Sequence, residues 1–113
     1  MVKNSVAKSN YKSINNKKYK KYKKEYDYYY KKSELFYKLN EKCNPNSLFG
    51  FYINLKHNYY DEILLEMKSE REVLSKKRIK KIYDIEKQNL AIENKWLNKQ
   101  HNTKFYVPKK FRK

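Results

Sequence analysis

Residues 22 to 34 read YKKEYDYYYKKSE, which places five tyrosines and four lysines within thirteen positions. Phenol rings offer flat faces on which ribose or unstacked bases can pack, and lysine ammonium groups beside them reach phosphates. The chemistry this pairing suits is therefore non-covalent capture of a polyanion. Lysines this dense cannot all leave the solvent, so the stretch does not read as the interior of a globule. Two further explanations stay open at this level. The stripe could pack on a protein helix, and A/T-rich codons would inflate Lys, Asn, Tyr and Ile together. Spacing has to decide what composition leaves undecided.

The elements that hold this stretch follow from periodicity. From Lys17 to Cys43 no residue breaks a helix, and Tyr19, Tyr22, Tyr26, Tyr29, Ser33 and Phe36 recur at steps of three and four along one face. Tyr30, Tyr37 and Leu39 widen that face, while Lys20, Lys21, Lys23, Lys24, Lys31 and Lys32 occupy mostly the remainder. Asn44-Pro45-Asn46-Ser47 ends the helix, because proline disfavours helical geometry before it and Asn and Ser form turns. The apolar segment SLFGFYINL holds the chain's only glycine, Gly50, and reads as an extended piece or turn inserted into a neighbour's groove through Leu48, Phe49 and Phe51. Residues 59 to 100 contain neither Pro nor Gly and read as one long helix with Asn58 at its N-cap. Ile63, Met67, Glu70 and Leu74 begin its stripe, and Ile82, Ile85, Asn89, Ile92 and Trp96 continue it after a shift. Such a helix looks polar alone and calls for a protein partner, with Ile63, Met67, Leu74, Ile85, Ile92 and Trp96 as its contacts.

The expectation is an all-α, extended chain of two helical segments, about 17–43 and 59–100, without a compact globular core and ordered on RNA or within a particle. A disordered basic tail (1–16), a turn and apolar linker (44–58) and a basic C-terminal tail (101–113) complete it. The first sixteen residues are polar, aperiodic and free of acids. Absence of acids also fits a mitochondrial presequence, but no arginine and no apolar helical face accompany it.

Whole-chain composition bounds the function. In 113 residues the net charge is +17 and the pI about 9.8, and 13 of the apolar residues are Tyr. A chain so charged repels itself, and phosphates relieve that repulsion. Only Arg71, Arg78 and Arg112 of the 29 basic residues are arginine, which suits backbone neutralisation better than bidentate reading of bases. Residues 1–43 carry a net +9, residues 44–103 a net +3, and the last ten +5. The two ends are therefore the expected RNA grips and the middle the expected protein contact. The RNA contacts are Lys20, Tyr22, Lys23, Lys24, Tyr26, Tyr29, Lys31 and Lys32, then Lys76, Lys77, Arg78, Lys80 and Lys81, and finally Lys109, Lys110, Arg112 and Lys113.

Other chemistries find no support. Cys43 is alone, and His57 and His101 have no partners at zinc-ligand spacing. One glycine cannot make a phosphate-cradling loop, and no nucleophile motif is present. Acid pairs such as Asp61-Glu62 have no sheet or barrel to form a pocket around them. The apolar tract around residues 48–53 is far short of the roughly 20 residues that span a membrane, and no apolar secretory signal opens the chain. No enzyme activity, cofactor, small-molecule substrate or membrane partner is expected.

As spacing, residues 20–34 give K-x-Y-K-x-x-x-D-x-Y-x-K-K-x-E, followed by Leu39, Lys42, Cys43 and Asn44-Pro45. This pattern resembles the N-terminal segment of the U3 small nucleolar RNA-associated protein 11 family. There a D-x-Y-x-K-K core leads to L-x-x-K-A and an N-P-D-E-F-Y turn. Tyr60, Ile63, Met67, Glu70 and Leu74 are similar to that family's tyrosine-led helix, and Tyr106 to Lys113 to its short basic ending. Asn46 and Ser47 replace the turn's acids, Gly50 stands where the family has an aromatic, and the family's middle region has no counterpart. The resemblance implies a non-catalytic factor of the nucleolar small-subunit processome. Its partners would be pre-ribosomal RNA, U3 small nucleolar RNA and other processome proteins. A mature ribosomal protein, cytosolic or mitochondrial, and a protein-interaction helix within a larger particle are the competing classes.

Overall fold

The computed structural model describes residues 2 to 112, with side chains described from Lys17 onward. The chain is all-helical and elongated, with extents of 66 × 26 × 23 Å. Its radius of gyration is 19.3 Å, against roughly 13 Å for a compact chain of this length. Three α-helices follow one another: α1 (Val2–Lys42), α2 (Leu48–Glu70) and α3 (Lys76–His101). A one-turn 3-10 helix, Lys109–Phe111, closes the chain.

Connections of five residues force neighbouring helices to run antiparallel. The contacts bear this out. Tyr37 meets His57, Ser33 meets Asp61 and Tyr22 meets Met67, so α2 rises in number as α1 falls. Tyr59–Tyr83 and Glu66–Arg78 repeat the pattern between α2 and α3. Both outer helices pack on α2, while the backbones of α1 and α3 stay apart. A groove floored by α2 therefore separates them.

Residues 44–58 are not an extended linker, because α2 begins at Leu48. Asn44 starts the turn by accepting the Asn46 N–H on its side chain (2.9 Å). Ser47 then donates to the Asn44 carbonyl (2.8 Å) and accepts from the Gly50 N–H (2.9 Å), capping the helix. The first turn of α2 lies so close to this turn that a Cβ on Gly50 would collide with the Asn44 carbonyl. Glycine is needed here for close approach rather than for an extended strand.

Residues 59–100 are not one helix either. α2 ends at Arg71, a non-glycine residue in the left-handed region (φ 55, ψ 36), and α3 restarts after Ser75, whose hydroxyl accepts from the Arg78 N–H at 3.1 Å. Arg78 donates through Nε to Glu66 Oε1 at 2.7 Å, which fastens the two helices across the turn. At the other end the backbone helix α1 reaches Val2, so it takes in residues 2–16 where a disordered tail was expected; nothing between Val2 and Lys42 is a helix breaker. The side chains of those residues lie outside the described part, as does Lys113.

Burial is divided between two small clusters rather than absent. Phe51, Leu55, Leu90 and Ala91 form one, with Tyr83, Tyr106 and Phe111 against it. Ile63, Met67, Leu74 and Ile82 form the other, walled by Tyr22, Tyr26, Tyr29, Tyr59, Tyr60 and Ile79. The aliphatic centres are small, and the phenol rings supply the remaining volume. The C-terminal tail, expected to be unstructured, is strapped back along α3. Asn98 pairs with both backbone groups of Phe105 (2.8 Å each), Asn94 donates to the Tyr106 carbonyl (2.9 Å), and Tyr106 N–H donates to the Pro45 carbonyl (3.0 Å).

Replacing Gly50 by Ala tests the close approach. A helix interior gains about 1 kcal/mol from Gly→Ala, whereas an overpacked contact costs about 1–3 kcal/mol. The clash with a backbone carbonyl should win, so thermal unfolding of Gly50→Ala should begin several degrees lower. An unchanged or higher midpoint would show that the turn moves aside freely.

Candidate nucleic-acid interface

α1 sorts its side chains by face. Tyr22, Tyr26, Tyr29, Ser33 and Phe36 turn toward α2 and are at least partly buried. The Tyr29 and Phe36 rings meet Tyr60 at centroid distances of 6.0 and 5.6 Å, and Tyr22 stacks on Tyr26 at 5.9 Å. Tyr22 also donates its hydroxyl to the Met67 carbonyl at 3.2 Å, satisfying one of the acceptors left over at the end of α2. The three tyrosines assigned by spacing to RNA are therefore used to hold the fold. Burial raises the pKa of Tyr29, Tyr59, Tyr60 and Tyr83 above the ordinary phenol value, with nearby ionisable groups adding to it.

The opposite face of α1 belongs to lysine. Lys17, Lys20, Lys24, Lys31, Lys38 and Lys42 fall within one arc of the helix by their steps of three, four and seven, and all are exposed. The row is roughly 38 Å long at 1.5 Å per residue. Lys23 is exposed beside it, and Lys32 lies over the Tyr28 ring at 5.7 Å. Asp27 and Glu34 interrupt the row, but Glu34 accepts a hydrogen bond from Tyr30, and Glu41 accepts one from Tyr37. Those bonds, ahead of the charge of each glutamate, raise the two phenols' pKa values. Glu34 and Glu41 are thereby engaged with phenols along the same helix, and Asp27 is exposed within the row.

A second basic patch opens α3. Lys76, Lys77, Lys80 and Lys81 are exposed, and the first turn contains no acid to complement the helix dipole. Arg78 does not join them freely, since Glu66 holds its guanidinium (2.5 Å). In the C-terminal strap Lys109 and Lys110 are exposed, whereas Arg112 donates to the Val107 carbonyl (2.6 Å) and lies over the Tyr106 ring.

The expected protein contacts divide in the same way. Phe51, Ile63, Met67 and Leu74 are buried within the chain. Leu48, Phe49, Ile85, Ile92 and Trp96 stay on the surface, the last three on one side of α3. Sequence reasoning missed Lys17, Lys38 and Lys42, although the seven-residue register of Lys17 and Lys38 with Lys24 and Lys31, and the four-residue step from Lys38 to Lys42, were readable. It also missed Lys56, Tyr59 and Tyr83, which only the α2–α3 hairpin brings together.

A Ser, an Asp and a His do meet between α1 and α2. Ser33 donates its hydroxyl to Asp61 Oδ1, and His57 Nε2 lies 3.2 Å from Asp61 Oδ2. The carboxylate stands between the other two, so the imidazole is not placed to take the serine proton. The trio ties two helices together. Among the described residues no group of three or more His, Cys, Asp or Glu could hold a metal ion, and no helix is long and apolar enough to cross a membrane. No protein-family model, curated protein or solved structure matches the chain.

The buried phenols can be titrated. Their folded pKa values lie above the ordinary 10.0, so the stability they supply is complete below pH 10.0 and is lost as the pH climbs through and beyond it. Phenolate absorbance of the native protein should rise at higher pH than that of the urea-unfolded chain. Coincident curves would mean that the rings are solvated.

Proposed function

We propose that this protein is a non-catalytic RNA-binding protein that works inside an assembling ribonucleoprotein particle. The observation that carries this reading is the lysine row of α1, exposed over its whole length and facing away from every other element. A row of ammonium groups on a rigid helix follows a phosphate backbone without choosing among bases. Three features support it: the net +17, the second basic patch on α3, and the rarity of arginine. The exposed side of α3 with Ile85, Ile92 and Trp96 suits a protein neighbour in the same particle.

The particle we propose is the nucleolar small-subunit processome, acting on the precursor of small-subunit ribosomal RNA with U3 small nucleolar RNA. This assignment rests on the K-x-Y-K-x-x-x-D-x-Y-x-K-K-x-E spacing of residues 20–34 and the Asn44-Pro45 turn. Sedimentation separates it from a mature ribosomal protein. A processome factor travels with early small-subunit precursors and is absent from translating polysomes; presence in polysomes would contradict the assignment.

The RNA-binding claim is tested by salt. Binding that neutralises about 6 phosphates of a single strand should give log K against log salt a slope of roughly −4. Changing Lys20, Lys24, Lys31 and Lys38 to Gln should make that slope shallower by about 0.7 for each lysine engaged. Helix content should not change, because these side chains hold nothing in the fold. A flat salt response, or a slope untouched by the four substitutions, would overturn the role of α1.

A further inference from the structure

Three helices each contribute a tyrosine to one open cleft: Tyr29 from α1, Tyr59 from α2 and Tyr83 from α3. The cleft measures about 460 Å³ and lies where the backbones of α1 and α3 stay apart above α2. Lys56, Lys76, Lys80 and Ile79 complete its lining, which contains no carboxylate. Tyr59 and Tyr83 meet edge to face at 5.2 Å, and the Lys56 ammonium rests over both rings, 5.5 and 5.2 Å from their centroids. Lys76 and Lys80 are one helical turn apart on the same side of α3.

We propose that this cleft takes one unstacked nucleotide of single-stranded RNA, its base against the tyrosine rings and its phosphates on Lys56, Lys76 and Lys80. The inference rests on the RNA-binding reading and adds to it a second, chemically different contact. Each part of the lining excludes a simpler ligand. A bare phosphate would make no use of three aromatic walls. An acidic peptide would satisfy the lysines but bring no flat face to the rings. Duplex RNA keeps its base faces inside the stack, out of reach. An unpaired nucleotide brings a flat ring and an anion together, and the volume lies within the range of small-ligand sites, about 300–1,000 Å³. The two ring contacts hold Lys56 in place before the ligand arrives, which lowers the ordering cost of binding. The α1 row and the cleft then divide the work: the row follows the backbone, and the cleft selects single strands.

The test uses the full chain and two probes of equal length and charge. One is a single-stranded oligonucleotide containing 4-thiouridine; the other is a ribose-phosphate strand without bases. The base-bearing strand should bind about tenfold more tightly, as expected for one stacked base. Its photo-crosslinks, mapped by mass spectrometry in the unmodified protein, should fall on the peptides holding Tyr59 or Tyr83. Lys76→Gln with Lys80→Gln, both solvent-exposed, should reduce those crosslinks while leaving the circular dichroism unchanged. Equal affinity for both strands, with crosslinks confined to α1, would overturn the cleft and leave RNA binding standing. No binding of either strand would overturn both. Oligoglutamate bound as tightly as RNA and competing for the Tyr59 crosslink would make the cleft a peptide site and overturn the nucleotide assignment.

Discussion

Where the rings of Tyr29 and Phe36 meet Tyr60, α1 and α2 are joined by aromatic contact in a place that aliphatic side chains usually fill. Ile63 and Met67 are the fully buried aliphatics of that seam, and tyrosines surround them. A phenol can fill a core only if its hydroxyl keeps a partner or reaches water. Tyr22 meets this by bonding to the Met67 carbonyl, whereas Tyr30 and Tyr37 lie on the surface, bonded to Glu34 and Glu41. Ser33 and Asp61 add a polar tie in the same seam. Once the tyrosine face is committed to α2, helical geometry places Lys17, Lys20, Lys24, Lys31, Lys38 and Lys42 on the opposite side. The basic row is a consequence of how α1 folds.

The same seam explains the open groove. Both outer helices pack on α2. With so few aliphatic residues, the chain builds two small clusters instead of one shared interior; side chains of α1 and α3 meet over α2 in only one of them, and the two backbones stay apart. The strap from Thr103 to Arg112 closes the far cluster by hydrogen bonds from Asn94 and Asn98 more than by apolar mass. The space that remains is lined with the side chains the sequence has in abundance, tyrosine and lysine.

Much of this was legible in the residues. The all-helical class, the helix through Lys17–Lys42, the Asn44-Pro45 turn and its stripe of tyrosines follow from spacing alone. What spacing cannot tell is what a stripe packs against. Tyr22, Tyr26 and Tyr29 had the same periodicity for a ligand as for a neighbouring helix, and the neighbour lay in the same chain. The break between α2 and α3 escaped because it uses Arg71 in a left-handed conformation, where glycine is the usual signal. Its trace was the shift between the Ile63–Met67–Leu74 stripe and the stripe beginning at Ile82, together with Ser75 placed to cap α3. Phe51 looked like an exported anchor, yet Gly50 lets the first turn of α2 press on Asn44 and directs Phe51 inward. The cleft could not be read at all, since Tyr29, Lys56, Tyr59 and Tyr83 meet only after two helical hairpins have formed.

Division of α1 into a folding face and an RNA-facing row is the claim on which the functional account stands. Lysine acetylation footprinting, with and without single-stranded RNA, reads that division residue by residue. RNA should protect Lys17, Lys20, Lys24, Lys31 and Lys38 together, with Lys76 and Lys80 as the second protected group. Protection limited to Lys109 and Lys110, with the α1 lysines equally reactive in both states, would contradict it.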